Sequence, residues 1–389
     1  MRRTQRPTPS LPVREGDWIV EAFSVSSLTG RVRVGLFFLL FPFSLSAQEF
    51  GRITLLFAGD LMQHQGQIDA ARQSDGSYDY TPCFQYVKEE VSRADVAIAN
   101  LEVTLAGRPY RGYPQFSAPD EYAQAIKEAG FDILLTANNH CLDRRQKGLE
   151  RTIRVLDSLQ IPHAGTYINS DAREKRYPLI IQKNGFRIAL LSYTYATNGI
   201  EVQAPNVVNY IDKEQILADI AKARSMKADV IIACMHWGIE YRLLPERQEL
   251  QLADWLIANG VDHVIGGHPH VLQPMEVRSD EYIAARHLVV YSLGNYISNM
   301  SAPNTDGGAM VKLELKKIGH IAALADCSYS LVWTSRPSLR GGGNYLLYPA
   351  ADPPQTINEA EKSRLDRFLK SARNLFKKSN IGIGEYFFE

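Results

Sequence analysis

The chain has 389 residues, carries 43 Lys and Arg against 43 Asp and Glu, and is 45% hydrophobic. That length buries a substantial core, and the balanced charge excludes the basic footprint of a nucleic-acid-binding protein and gives no sign of an acidic partner. What remains is an enzyme-sized globular protein, for which one large α/β domain with additions fits as well as two domains.

The first fifty residues differ from the rest. Arg31 and Arg33 precede the apolar run Val34 to Ala47, which is short for a bilayer and ends in small residues before Gln48. This pattern predicts a signal peptide over 31–47 cleaved just before Gln48, or else an uncleaved anchor. Either way the protein is expected to be exported, periplasmic or extracellular. Pro42 inside the run argues against a buried helix. Residues 1–30 read as a non-native or disordered extension, and a start codon assigned too early would account for them. Cys83, Cys141, Cys234 and Cys327 show no CxxC spacing, so no zinc knuckle or redox motif is expected, and a disulfide is permitted without being assignable.

From Arg52 onward, apolar runs of strand length alternate with helical stretches. GRITLLFAGD ends in Asp60, and a loop with His64 leads to a helix over 84–93. ADVAIANLE ends in Asn100 and Glu102. A helix is expected from Ser117 as its cap, through Pro119, to Gly130. FDILLTANNHCLD breaks from a buried strand into Asn138, Asn139 and His140, and an amphipathic helix through Leu149, Ile153, Leu156 and Leu159 follows. Next come the strand RIALLSYTY, a helix capped by Asp212, ADVIIACMHWG ending in His236, a helix opened by Pro245, VDHVIGGHPH with His268 and His270, and HLVVYSLGNY ending in Asn295. Repeated strand, helix, strand units predict mainly parallel sheets covered by helices. The domain is expected over 52–318. The tail over 319–389 alternates like antiparallel strands and closes on a packing helix capped by Asn358, with Glu361 three residues on.

Open parallel sheets present ligands at the carboxyl ends of their strands, and here that rule repeats along the chain. Asp60, Glu102, Asn139, His236, His268 and His270 are the candidate metal ligands. Imidazole, carboxylate and amide donors together suit Zn, Mn or Fe rather than Ca, and their number suffices for two adjacent divalent ions. In GGHPH an extended segment would turn both rings to one side. Any one of these residues alone reads as a satisfied polar group at a strand end; as a set they read as a site. Asp143 either orients His140 or caps the helix that follows it. Arg111 and Tyr113 in YRGYPQF, with Glu240, Asn100 and Asn295, are assigned to substrate contact.

GDLM, ANLE, ANNHCLD, MHWGIEY, GGHPHVLQP and YSLGNY, in this order, resemble the signature of the bacterial capsule-synthesis CapA, or poly-γ-glutamate synthesis, family within the calcineurin-like metallophosphoesterases. The resemblance implies a four-layer α/β/β/α sandwich with a small C-terminal addition, a two-metal site at the sheet ends, and a role in making, releasing or anchoring a polyglutamate-like polymer. It implies His140 as the catalytic group and the other motif residues as metal holders. Two departures stand out: Met62 replaces the usual histidine two residues after the aspartate, which leaves a ligand short unless His64 swings in. Asn100 replaces the usual bridging aspartate, so either Glu102 bridges or a second ion is held weakly. Three functions remain compatible: a metal-dependent hydrolase of a cell-surface polymer or phosphoester, a polymer-gripping accessory protein of a membrane-bound export complex, and a metal-assisted epimerase.

Overall fold

Alternate residues of the strand Phe50–Leu61 point into two different cores. Ile53, Leu55 and Phe57 enter one, while Leu56 and Ala58 enter another. This is the period-2 consequence of a pleated strand buried on both faces. The strand is central in a nine-stranded sheet, paired parallel with Val96–Leu101 and antiparallel with Gly307–Ile318. A second sheet of six strands is centred on Phe186–Thr194, Val230–His236 and His263–Gly267. There Val230, Ile232 and Cys234 join the core that Ile53 enters, and Ile231, Ala233 and Met235 face a third.

The first of these cores therefore lies between the two sheets. The second packs the larger sheet against helices Asp120–Glu128 and Arg145–Ser158 through Tyr122, Ile126, Val155 and Leu156. The third packs the smaller sheet against Lys213–Ser225 and Arg247–Ala258 through Ile216, Ile220, Ala253 and Leu256. The layers run α/β/β/α. This computed structural model describes residues 50–279, 286–319 and 321–388. The expected extension over 1–30 and signal over 31–47 lie outside the described residues. Among the described residues no helix is long and apolar enough to cross a membrane.

Several boundaries differ from expectation for local reasons. The helix expected to start at Ser117 is capped at Pro119, because the Ser117 hydroxyl donates to the Gly107 carbonyl at 2.7 Å and does not cap. Pro245 sits outside its helix, which is capped by a Glu246–Glu249 box. The helix expected over 84–93 is a 3₁₀ turn, Thr81–Phe84, and then Lys88–Arg93. Asp212 and Asn358 both cap through their side chains. The four cysteines are free and buried. The boundary drawn at 318/319 falls inside the hairpin joining Gly307–Ile318 to Ile321–Ser335, so the tail strands continue the larger sheet and are not an addition to it. The final helix, Glu359–Ser379, sends Leu365, Phe368, Ala372 and Phe376 into the core between the sheets.

Truncating a side chain in that shared core should loosen both sheets. Ile232 is 0% exposed, and Ile232→Ala is expected to lower unfolding free energy by about 2–5 kcal/mol, read from the denaturant midpoint. An unchanged midpoint would mean the inter-sheet core does not hold the layers together.

Candidate metal centre

Pairing register brings the polar strand ends to one level. Asp60 stands opposite Asn100 on one side and Asn295 on the other, and in the second sheet His236 stands opposite Gly267. A register shift sits between Ala58 and Asp60. Gly59 makes it possible, since a Cβ there would lie 2.0 Å from the Gly294 carbonyl oxygen. Such a bulge re-aims the following side chain, here the carboxylate of Asp60.

The donors form overlapping sets. Glu102, His236 and His268 offer atoms within 4.8 Å of one another, and so do Asp60, Glu102 and His270. Glu102 belongs to both. Its Oε1 lies 3.5 Å from His236 Nε2 and 3.7 Å from His270 Nε2, yet among the described residues it has no hydrogen-bond partner although it is buried. Two atoms bound to one ion at about 2.1 Å in tetrahedral geometry sit about 3.4 Å apart, so this spacing suits a shared cation better than a hydrogen bond. His268 Nδ1 is likewise buried without a partner. Asn139 Oδ1 lies 2.8 Å from His236 Nε2, a hydrogen-bond distance, which leaves an amide oxygen beside the first set. Glu240 completes a third set with His268 and His270. Two orphaned buried donors within a mixed imidazole and carboxylate cluster fit a divalent cation.

Electrostatics agree with geometry. Burial alone would raise the pKa of Asp60, but its bond to His270 and the charges of His236 and His270 hold it down to about 2. Burial opposes charge on His270, yet Glu102 and Asp60 raise it to about 9. His268 is pushed down to about 2 by burial and by its two histidine neighbours, so its lone pairs are available.

The backbone of the paired histidines is not the extended segment expected. His268 has φ +97° and His270 φ +58°, conformations that cost non-glycine residues energy and cluster at functional sites. The bend nevertheless brings their ring centroids to 5.8 Å. Asn100 and Asn295, assigned to substrate contact, are buried and bond the candidate ligands themselves. Asn100 donates to Asp60 Oδ1 at 2.8 Å, and Asn295 Oδ1 meets His270 Nδ1 at 3.0 Å. Asn138, which the sequence reading left without a role, donates to Asn100 Oδ1 at 3.1 Å and so aims that amide at the carboxylates.

His140 sits beside this cluster. Its Nδ1 is 2.8 Å from Asp143 Oδ2, an oxygen that also accepts from the Phe116 backbone at 2.8 Å. The following helix is capped at Arg144 without a side-chain bond, so Asp143 orients His140. Burial disfavours the charged ring, but the Asp143 bond and the charges of Asp143 and Glu102 raise its pKa. His64 packs against Phe116 at 5.3 Å, and its Nδ1 lies 3.3 Å from the Asn299 amide. No described donor set includes it. At the mouth, Tyr195 lies 4.5 Å from His268 between ring centroids, Tyr241 lies 6.4 Å from His270, and Tyr113 is 73% exposed. Arg111 is exposed and, among the described residues, makes only a backbone bridge to Ser117. Tyr195 escaped the sequence reading although it obeys the same rule, standing one residue past the strand Phe186–Thr194.

Glu102 is the shared donor, so its loss should be the most damaging. Glu102→Gln is expected to lower the metal retained after reconstitution and dialysis more than His236→Ala or Asp60→Asn, each of which removes one set. Outer-sphere changes typically cost about 10–100-fold in affinity, and loss of a shared ligand should exceed that. Metal content by plasma mass spectrometry decides it, and wild-type retention in Glu102→Gln would show that Glu102 is not shared.

A family model described as "Bacterial capsule synthesis protein PGA_cap" matches residues 54–300. The capsule biosynthesis protein CapA of Bacillus anthracis is 27% identical over 284 residues, covering 70% of this chain and 66% of that protein. The PGA biosynthesis protein CapA of Bacillus subtilis strain 168 is 30% identical over 275 residues, covering 68% of each. This chain thus spans about two thirds of the length of these relatives. Among solved structures, the calcineurin-like phosphoesterase YfkN of Bacillus subtilis aligns at a TM-score of 0.44 with 16% identity, over 83% of this chain and 99% of that one. Because the family match takes in more than half of the residues and carries every strand end that builds the site, the chain belongs to the bacterial capsule synthesis protein family described as PGA_cap.

Proposed function

We propose that the chain is an exported, metal-dependent hydrolase that cuts amide or phosphoester bonds in an anionic cell-surface polymer of the polyglutamate type. The observation that carries this reading is the buried Glu102 oxygen, unpartnered and shared by two donor sets, next to a histidine held by its own carboxylate. Two divalent ions of the Zn, Mn or Fe kind would fit there, one by Glu102, His236, His268 and Asn139, the other by Asp60, Glu102 and His270. When bound, such cations supply a water nucleophile at neutral pH and draw negative charge.

The residues of the chain do the rest. Asp143 binds Nδ1 of His140 and leaves Nε2 as the proton-exchanging atom, and its carboxylate favours the protonated ring that a leaving group would need. Asn138 and Asn100 hold the Asp60 carboxylate in line. Tyr195, Tyr241 and Tyr113 form an aromatic rim at which a chain can lie. The names of the CapA relatives support a polymer as the substrate, and the apolar run over 34–47 supports export.

Metal-replete protein assayed on a panel of γ-glutamyl peptides and phosphoesters tests the reading. Turnover that a chelator abolishes is expected. Binding of polyglutamate with no turnover of any panel member would replace hydrolysis by an accessory role in a polymer-export complex.

His140→Ala is expected to retain metal while kcat falls by about 10²–10⁴, the usual contribution of a general acid. Asp143→Asn should cause a smaller fall and move the pH profile. Loss of metal in His140→Ala would make His140 a ligand and overturn this division of roles.

A further inference from the structure

Outside the metal centre, a cleft of about 310 Å³ opens between the segment after Asn295 and the final helix, lined among others by Asn304, Asp306, Arg336, Arg364, Arg367 and Phe368. Three guanidinium groups face one carboxylate. That carboxylate is engaged, since Asp306 accepts from Trp333 Nε1 at 3.1 Å. Arg336 is partly buried and donates to the Met300 carbonyl. Burial and the charge of Arg364 lower its pKa, although Asp306 works the other way.

Arg364 and Arg367 stand three residues apart on one face of helix Glu359–Ser379, and both are exposed. Arg367 Nε donates only to the Ser363 carbonyl at 3.3 Å, and neither residue has an ion pair among the described residues. Like charges at this spacing repel on a helix, and among the described residues no ion pair to either side chain relieves it. An anion would.

The cleft adjoins the metal centre along the chain. Met300, which precedes the lining residue Ser301 and whose carbonyl accepts from Arg336, receives Asn295 Nδ2 on its Sδ at 3.4 Å, and Asn295 Oδ1 meets His270 Nδ1 at 3.0 Å. Asn304 and Phe368 also line a small neighbouring cavity together with Leu243, which follows Glu240 and Tyr241 by a few residues. A chain leaving the histidine cluster over the 239–244 loop therefore meets the arginines next.

We propose that this cleft is a second subsite, which grips carboxylate groups of an anionic chain several monomers away from the part held at the histidines. The inference rests on the polymer reading above. Guanidinium forks match carboxylates two hydrogen bonds at a time, which makes arginine better suited here than lysine. Two subsites joined by one chain gain affinity through effective concentration, so binding should depend on chain length.

The test uses the full chain in chelator, so that no turnover occurs, with fluorescently labelled oligo-γ-glutamate of about ten residues and with γ-glutamyl-glutamate as probes. The variant is Arg364→Ala with Arg367→Ala, both exposed and outside the metal donors. It should weaken the long probe by about tenfold or more, flatten its salt dependence, and leave the dipeptide unchanged. Equal affinity of variant and parent for the long probe would overturn the subsite. Preference for polyphosphate, lost in the same variant, would overturn the carboxylate assignment and make the cleft a phosphate site. Because binding is read without metal, a protein that hydrolyses nothing but still shows the arginine-dependent length effect would refute hydrolysis and leave the subsite standing. Intact hydrolysis of short γ-glutamyl peptides with no length effect would do the reverse.

Discussion

Burying charge is the constraint from which the rest of this structure follows. Asp60 and Glu102 are 0% exposed, and His236, His268 and His270 are almost as deeply buried. Each ion removed from water costs several kcal/mol unless partners repay it, and the partners the protein supplies are incomplete. Asn100 and His270 serve Asp60, while Glu102 Oε1 and His268 Nδ1 have no hydrogen-bond partner. Two histidines held at positive φ add strain of order 1–3 kcal/mol each. The apolar cores on either side of the two sheets tolerate this because the unfavourable groups are gathered at one end of strands that are otherwise apolar on both faces.

That gathering explains what could be read in the sequence. A strand buried on both faces is a continuous apolar run, and a polar residue ending such a run stands out. Asp60, Glu102, Asn139, His236, His268 and His270 were visible for that reason, and the structure brings them together. Caps such as Asp212 and Asn358 were legible because they act within three residues of their own position.

Long-range geometry was not legible. Whether Asn100 would face substrate or the carboxylates depends on Asn138, which reaches it from the loop that follows the neighbouring strand Ile133–Leu135. Asp143 could have capped a helix, and only the placement of Phe116 beside it, from a distant loop, shows that it serves His140. The tail strands alternate as an independent antiparallel unit would, and nothing local says that they join, through Gly307–Ile318, the sheet of strand Phe50–Leu61. The arginine cleft is likewise invisible in the sequence, since Arg336 and Arg364 meet only when the final helix folds back.

Together these features make the site's logic a matter of one oxygen. If Glu102 is held between two imidazole-bearing sets because it binds two cations, the strain, the orphaned donors and the Asn100 substitution have a single cause. Crystals of the metal-loaded protein measured by anomalous scattering test this most directly. The account predicts two peaks with Glu102 between them, one bounded by His236 and His268 and the other by Asp60 and His270. No peak in the cluster, or a single peak whose ligands leave Glu102 out, would contradict it.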